Sequence, residues 1–265
     1  LDRANALKLL ARILAGAAHE GVSYQLASLE GGSMHNAIPR EAAALLHLAK
    51  ADESKLRGVI ACQLEGFKTE VEGVDEGLVV ELMSADPAES VLEDADRARL
   101  VRLLLALPHG VLAMSQAIPG LVETSNNLAA VKAENGKIKV ITSSRSSILS
   151  SISGVLASVR AAGELAGAKV ETHDGYPGWK PNMASPVLDV VRRVYARQWG
   201  REPEVTAIHA GLECGLLGEK VEGMDMVSFG PQIEGAHSPD ERVHVPSVDR
   251  FWKALRGVLE ELATT

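Results

Sequence analysis

The sequence predicts an α+β domain, an antiparallel sheet with helices on one face, followed by a partial α/β domain. Three observations carry the prediction. Helical and alternating apolar patterns interleave up to about residue 172, with the strong hairpin signal Asn135-Gly136 among them. From His173 the texture shifts to Gly/Pro-rich loops such as His173-Asp174-Gly175-Tyr176-Pro177-Gly178-Trp179-Lys180-Pro181. Beyond that loop, two short apolar runs alternate with helical stretches, the mark of buried parallel strands.

The elements follow in chain order. Arg3 to Ala18 places Leu7, Leu10, Ile13, Leu14 and Ala17 at helical spacing, with Gly21 near a C-cap position. Val22 to Leu29 alternates and predicts a strand, broken by Gly31-Gly32. Ala42 to Ala49 predicts a second strand. Asp52 to Val71 predicts a helix capped by Asp52 or Ser54. Leu78 to Met83 predicts a short strand, and Asp94 to Leu107 a helix that starts acidic and stops at Pro108. Leu128 to Ala133 and Lys137 to Thr142 flank the hairpin turn. A Ser-rich helix follows from about Ser147 to Leu165, then a strand from Ala168 to Thr172. The second part predicts a helix from Pro186 to Gln198, strands at Val205–His209 and Asp225–Phe229, and a final helix from Ser247 to Leu262.

With 265 residues, 46% of them hydrophobic, and a mean hydropathy of +0.05, the chain can bury a sizeable core. Aromatics make up only 3%, so that core relies on Leu, Val, Ile and Ala. The net charge of −8 argues against a broad nucleic-acid surface, which needs excess Lys and Arg. No window is long and apolar enough for a membrane span. Cys62 and Cys214 lack CxxC spacing and fit a reducing, cytoplasmic setting. The chain opens on Leu1 inside what reads as a structured element, so we expect a C-terminal piece of a longer polypeptide or a processed product.

Several residues are of types that carry chemistry. His237 lies in the Gly/Pro-rich loop Gly230-Pro-Gln-Ile-Glu-Gly-Ala-His-Ser-Pro-Asp-Glu241. It is placed to bind a metal or a substrate, with Asp240 and Glu241 near enough to orient it; a loop histidine bonding only backbone is the plain alternative. His209 and Glu213, in His209-Ala-Gly-Leu-Glu-Cys-Gly215, sit among glycines that let backbone approach a ligand; a strand-end turn fits equally well. Cys214 reads as a small hydrophobe. Arg145 closes the second hairpin strand, where a guanidinium can clamp a carboxylate through two hydrogen bonds or form a surface ion pair. Asn36 follows the Gly31-Gly32 turn and can donate to a carbonyl or an oxyanion, or fold into an Asx turn. Trp179 suits either substrate stacking or hinge packing.

The order Gly-Ala-His-Ser-Pro-Asp-Glu resembles the last metal-binding loop of the M20 metallopeptidases, the carnosinase and aminoacylase clan. The segments Asn36-Ala-Ile-Pro-Arg-Glu41 and Ile208 to Gly218 resemble its aminoacyl-histidine dipeptidase branch. This resemblance implies a lid or dimerisation domain over residues 1–172, lacking its first strand. It implies the C-terminal part of a zinc-peptidase catalytic domain over residues 173–265. It further implies metal-dependent hydrolysis of Xaa-His dipeptides in the cytoplasm, with two divalent ions per full-length subunit, zinc foremost and Mn or Co also fitting. On the same ground His237 binds one metal and Arg145 takes the dipeptide's C-terminal carboxylate. Asn36 supports the carbonyl or tetrahedral oxyanion, and His209 and Glu213 line the substrate site. The clan's lid domain commonly forms a homodimer, in which Asn36 and Arg145 could serve the partner's site.

The clan's His-x-Asp motif, bridging Asp and Glu-Glu pair with the general base do not occur here as a set. One imidazole cannot fix a dinuclear centre, so the chain alone is expected to be inactive. A non-catalytic dimerisation or regulatory module, and another M20 activity such as acyl-amino-acid hydrolysis or tripeptide cleavage, are the competing readings.

Overall fold

A computed structural model of the chain describes residues 3–116, 118–134, 136–173, 175, 179, 182–206, 213–235 and 240–264. Two compact units result, Leu1–His173 and Asp174–Thr265.

The first unit runs α1 (Ala6–His19), β1 (Tyr24–Gly31), β2 (Ala42–Leu48), α2 (Lys50–Glu70), α3 (Asp94–Ala106), β3 (Gly110–Met114), β4 (Val122–Glu134), β5 (Lys137–Ser146) and α4 (Leu149–Leu165). All five strands pair antiparallel. β4 is the hub: β5 pairs along its length, while β3 and then β1 share its opposite side. The α+β expectation therefore holds.

α1, α3 and α4 cover one face of the sheet, and Leu7, Leu14, Leu26, Leu104, Leu128 and Val131 form the centre of the core. α2 lies against α1, burying Phe67 beside Leu9 and Ile13.

A polar junction ties the start of α1 to the sheet. The Asn5 side chain accepts from Lys8 N (3.1 Å) as N-cap and donates to Leu128 O (2.8 Å). Lys8 Nζ donates to the carbonyls of Leu104 (2.7 Å), Leu105 (2.9 Å) and Leu107, closing the C-terminal end of α3. Burial lowers its pKa to about 8. His109 Nδ1 accepts weakly from Leu128 N at 3.4 Å. Burial, and secondarily the Lys8 charge, pushes its pKa down to about 4.

Some elements differ from expectation. α2 begins at Lys50, and its N-cap Ala49 makes no side-chain bond, so Asp52 and Ser54 are not caps. β3 carries no clear sequence signal. Residues 78–83 alternate between partly buried Leu78, Val80 and Leu82 and exposed Val79, Glu81 and Met83, yet join no ladder. Residues 168–172 likewise form no strand. An extended run becomes a strand only where a neighbour answers its backbone groups.

The second unit is mainly helical: α5 (Pro186–Trp199), α6 (Glu213–Lys220), a ribbon of β6 (Ile233–Glu234) with β7 (Arg242–Val243), and α7 (Val245–Leu262). The two strands of the partial α/β prediction are not seen among the described residues. Residues 225–229 are not a strand, and of 205–209 only 205 and 206 are described, neither in a strand. No described strand lies beside either run to answer its backbone groups. α5 packs on α7 through Val190, Val191, Val194 and Val258, and Gly257 permits the approach, since a Cβ there would meet Val194 Cγ1 at 2.8 Å. α5 is well capped. Ser185 Oγ accepts from Leu188 N at 3.0 Å, and Asp225 Oδ2 accepts from Ser185 Oγ (2.8 Å) and Val187 N (3.0 Å). α7 also carries a second, exposed apolar stripe, Val245, Val248, Trp252, Leu259 and Leu262.

Candidate functional site

The β4–β5 hairpin is pinned from its helix-covered face. Asn126 is buried there; its Nδ2 donates to Pro108 O (2.6 Å), and its Oδ1 accepts from Ser144 Oγ (2.7 Å). Next to it, the hydroxyls of Thr124 and Ser146 share a hydrogen bond at 2.9 Å. These bonds cross the hairpin in its observed register, which also decides what the opposite face carries.

That opposite face carries Ser125, Asn127, Ser143 and Arg145, because Ser125 pairs with Arg145 and Asn127 with Ser143. Arg145 is exposed and reaches the open face of the sheet. Its position lies two residues, roughly 7 Å, along β5 from Ser143.

The loop after β1 meets this face. Gly32 has φ +70, and a Cβ there would meet Ala129 O at 2.0 Å, so only glycine lets the chain turn so close to β4. Ala129 is the extra residue of a bulge between Leu128 and Ala130. Further on, Asn127 Nδ2 donates to Ala37 O at 2.7 Å, and Ala6 N donates to Pro39 O at 3.0 Å. Between these anchors, Ala37 N bonds Met34 O at 3.4 Å, setting His35 and Asn36 at the tip of a turn, both exposed. The Asn36 side chain has no hydrogen-bond partner among the described residues. The Asx-turn alternative is not what the structure shows; Asn36 is presented outward. Asn36 and Arg145 thus flank Asn127, one on the loop it holds and one farther along the hairpin.

Asn126 and Asn127 escape the sequence reading, which begins β4 at Leu128. The signal was there: Val122, Thr124, Asn126 and Leu128 alternate, but with polar residues facing inward. Asn127 Oδ1 is buried and without a partner among the described residues, a costly arrangement of about 1–3 kcal/mol.

His209 and His237 lie outside the described residues. Glu213 is the first residue of α6, and its side chain is not described. Cys214 is a free thiol, partly buried in α6, and Trp179 is partly buried. The flanks of the His237 loop are described. β6 and β7 bring residues 234 and 242 together, with Arg242 Nη2 and Glu234 Oε2 2.7 Å apart. Ser247 Oγ accepts from Gln232 N (2.8 Å) and donates to His244 O (2.6 Å), tying the ribbon to the start of α7. Asp240 and Glu241 are exposed beside the ribbon.

Among the described residues, no three His, Cys, Asp or Glu side chains converge as a metal-holding group. The described donors therefore do not fit a dinuclear centre by themselves. No described helix is long and apolar enough to cross a membrane.

Residues 12–261 match the peptidase family M20/M25/M40, and the chain belongs to that family. It is 40% identical to the cytosol non-specific dipeptidase of Escherichia coli (strain K12), over 97% of this chain and 53% of that protein. Its structure is similar to an aminoacylhistidine dipeptidase from Vibrio alginolyticus, with TM-score 0.90 and 40% identity over 98% of this chain and 53% of that one. It shares its fold more loosely with the aminopeptidase PepT of Bacillus cereus, with TM-score 0.52 and 19% identity over 63% of this chain and 45% of that one. The chain spans about half the length of the dipeptidase relatives it matches.

Proposed function

We propose that this chain is part of a metal-dependent dipeptidase that hydrolyses Xaa-His dipeptides in the cytoplasm. The carrying observation is the 40% identity, along nearly the whole chain, to a protein named cytosol non-specific dipeptidase. The placing of Arg145 and the Asn36 loop against one face of the β4–β5 hairpin supports it from geometry. On this reading Arg145 binds the free C-terminal carboxylate, which a planar guanidinium accepts through paired hydrogen bonds. Asn36 donates to the carbonyl that becomes an oxyanion. His209 and Glu213 line a substrate site, and His237 supplies one imidazole to a divalent metal pair, with zinc the first candidate and Mn or Co also suited.

Bound metal ions would supply the activated water. The remaining ligands and the general base would come from polypeptide beyond this chain's own residues, so the isolated chain is inactive. Residues 1–172 would then be a lid domain that also forms the homodimer, and residues 173–265 the closing part of the catalytic domain. The exposed apolar stripe on α7 supports the second assignment, because such a face is covered in a complete domain.

The test is reconstitution. The chain is assayed alone and co-expressed with the portion of the Escherichia coli relative that it does not span, with added zinc, manganese or cobalt. We expect hydrolysis of β-alanyl-histidine only in the reconstituted sample, ahead of an N-acyl amino acid or a tripeptide. A folded reconstituted complex that ignores dipeptides but cleaves either competitor would overturn the Xaa-His assignment.

A further inference from the structure

We propose that Asn127 is a positioning residue for substrate binding, a clamp that holds the Asn36 loop at a set distance from Arg145. The proposal rests on the reading of Asn36 and Arg145 as substrate-binding residues.

The geometry is specific. Asn127 stands on the face of β4 that faces away from the helices, opposite Ser143 and two residues from the Ser125–Arg145 pair. Its Nδ2 reaches out of the sheet to Ala37 O at 2.7 Å, the residue directly after Asn36. The other anchors of the loop lie at its ends: Gly32 against Ala129 O, and Pro39 O on Ala6 N. Among the described bonds, only the one from Asn127 joins the exposed tip, Met34 to Ala37, to the strand pair. A dipeptide's carboxylate and scissile carbonyl are separated by fixed covalent geometry. Two groups that bind them must therefore keep their spacing, and loose placement by even an ångström is expensive in binding and rate. Asn127 links the two supports.

The amide is used one-sidedly. Its orientation is set, because exchanging oxygen and nitrogen would put Oδ1 against the Ala37 carbonyl. Oδ1 is left buried with no partner among the described residues. A side chain kept for stability would satisfy both ends, as neighbouring Asn126 does with Pro108 and Ser144. Asn127 therefore acts on the loop more than on the fold. Replacing it removes the orphaned acceptor together with the clamp, so the two effects on stability oppose each other.

The experiment has two arms on the folded chain. In the first, hydrogen–deuterium exchange is followed for wild type, Asn127→Ala and Asn126→Ala. We expect Asn127→Ala to speed exchange across residues 33–38 by about tenfold or more while its melting temperature stays within about 4 °C of wild type. Asn126→Ala serves as the structural control, loosening the hairpin itself. Unchanged loop exchange in Asn127→Ala overturns the clamp.

In the second arm, β-alanyl-histidine binding is read by NMR shift titration, which reaches millimolar affinities, in a double-mutant cycle. Asn127→Ala weakens binding by about tenfold in the wild-type background, and adds nothing in an Asn36→Ala background. Independent, additive effects of the two substitutions overturn the positioning role. If Asn36→Ala and Arg145→Ala each leave affinity unchanged, or wild type does not bind, the substrate reading fails, and the positioning role with it. The first arm still shows then whether Asn127 holds the loop, so the two failures are told apart.

Discussion

Ser144 Oγ donates to Asn126 Oδ1 at 2.7 Å across the β4–β5 pair, on the buried side of the sheet. The same amide donates to Pro108 O, so one side chain joins both hairpin strands to the turn that follows α3. The bond lies next to the Ser125–Arg145 pair, on the opposite side of the sheet.

Asn126→Ala should therefore destabilise the first unit by about 1–3 kcal/mol, because it strands the Pro108 carbonyl and the Ser144 hydroxyl. Denaturant unfolding followed by exchange within β4 and β5 checks this. Ser144→Ala should cost less, since Pro108 keeps its donor.

A second expectation concerns acid. His109 is held neutral in the fold, with a pKa near 4. The unfolded chain takes up its proton near pH 6.5, so between these values the unfolded state binds more protons. Stability therefore rises with pH through this window and is lost as pH falls from about 6.5 toward 4. His109→Gln should flatten that slope relative to wild type, as measured by denaturation at pH 7, 5.5 and 4.5.

The second unit has a lower window. Asp225 is held below the ordinary carboxylate range, first by the Val187 N–H and also by the Ser185 hydroxyl. Its contribution is present above the ordinary carboxylate value and lost as pH falls through the depressed one. Asp225→Ala should fray the start of α5 at neutral pH, seen as faster exchange at residues 186–189, and its difference from wild type should shrink in strong acid. Asp225→Asn, which keeps an acceptor for both donors, should fall between the two.

The sequence and structure agree where periodicity is strong and local. Leu7, Leu14 and Ala17 locate α1, and Asn135-Gly136 locates the hairpin turn. Agreement ends where tertiary partners decide. Leu78, Val80 and Leu82 alternate as in a strand, but no described neighbour supplies a ladder, and the apolar run at 225–229 likewise pairs with no described strand. β4 reaches back to Val122 because Thr124 and Asn126 can be buried once Ser146 and Ser144 answer them. A pattern of apolar residues cannot show that. Arg145 and Asn36 could be picked out by residue type and resemblance, but not the clamp between them, since Asn127 matters through a contact ninety residues away in sequence.

On the proposed function, the exposed hairpin face receives a dipeptide's carboxylate. The most direct measurement compares the chain's affinity for β-alanyl-histidine and for its C-terminal amide, in wild type and in Arg145→Ala. Wild type should prefer the free carboxylate by about tenfold, equivalent to about 1.4 kcal/mol, and Arg145→Ala should lose the preference while staying folded. Equal binding of acid and amide by wild type, or an undiminished preference in Arg145→Ala, would contradict it.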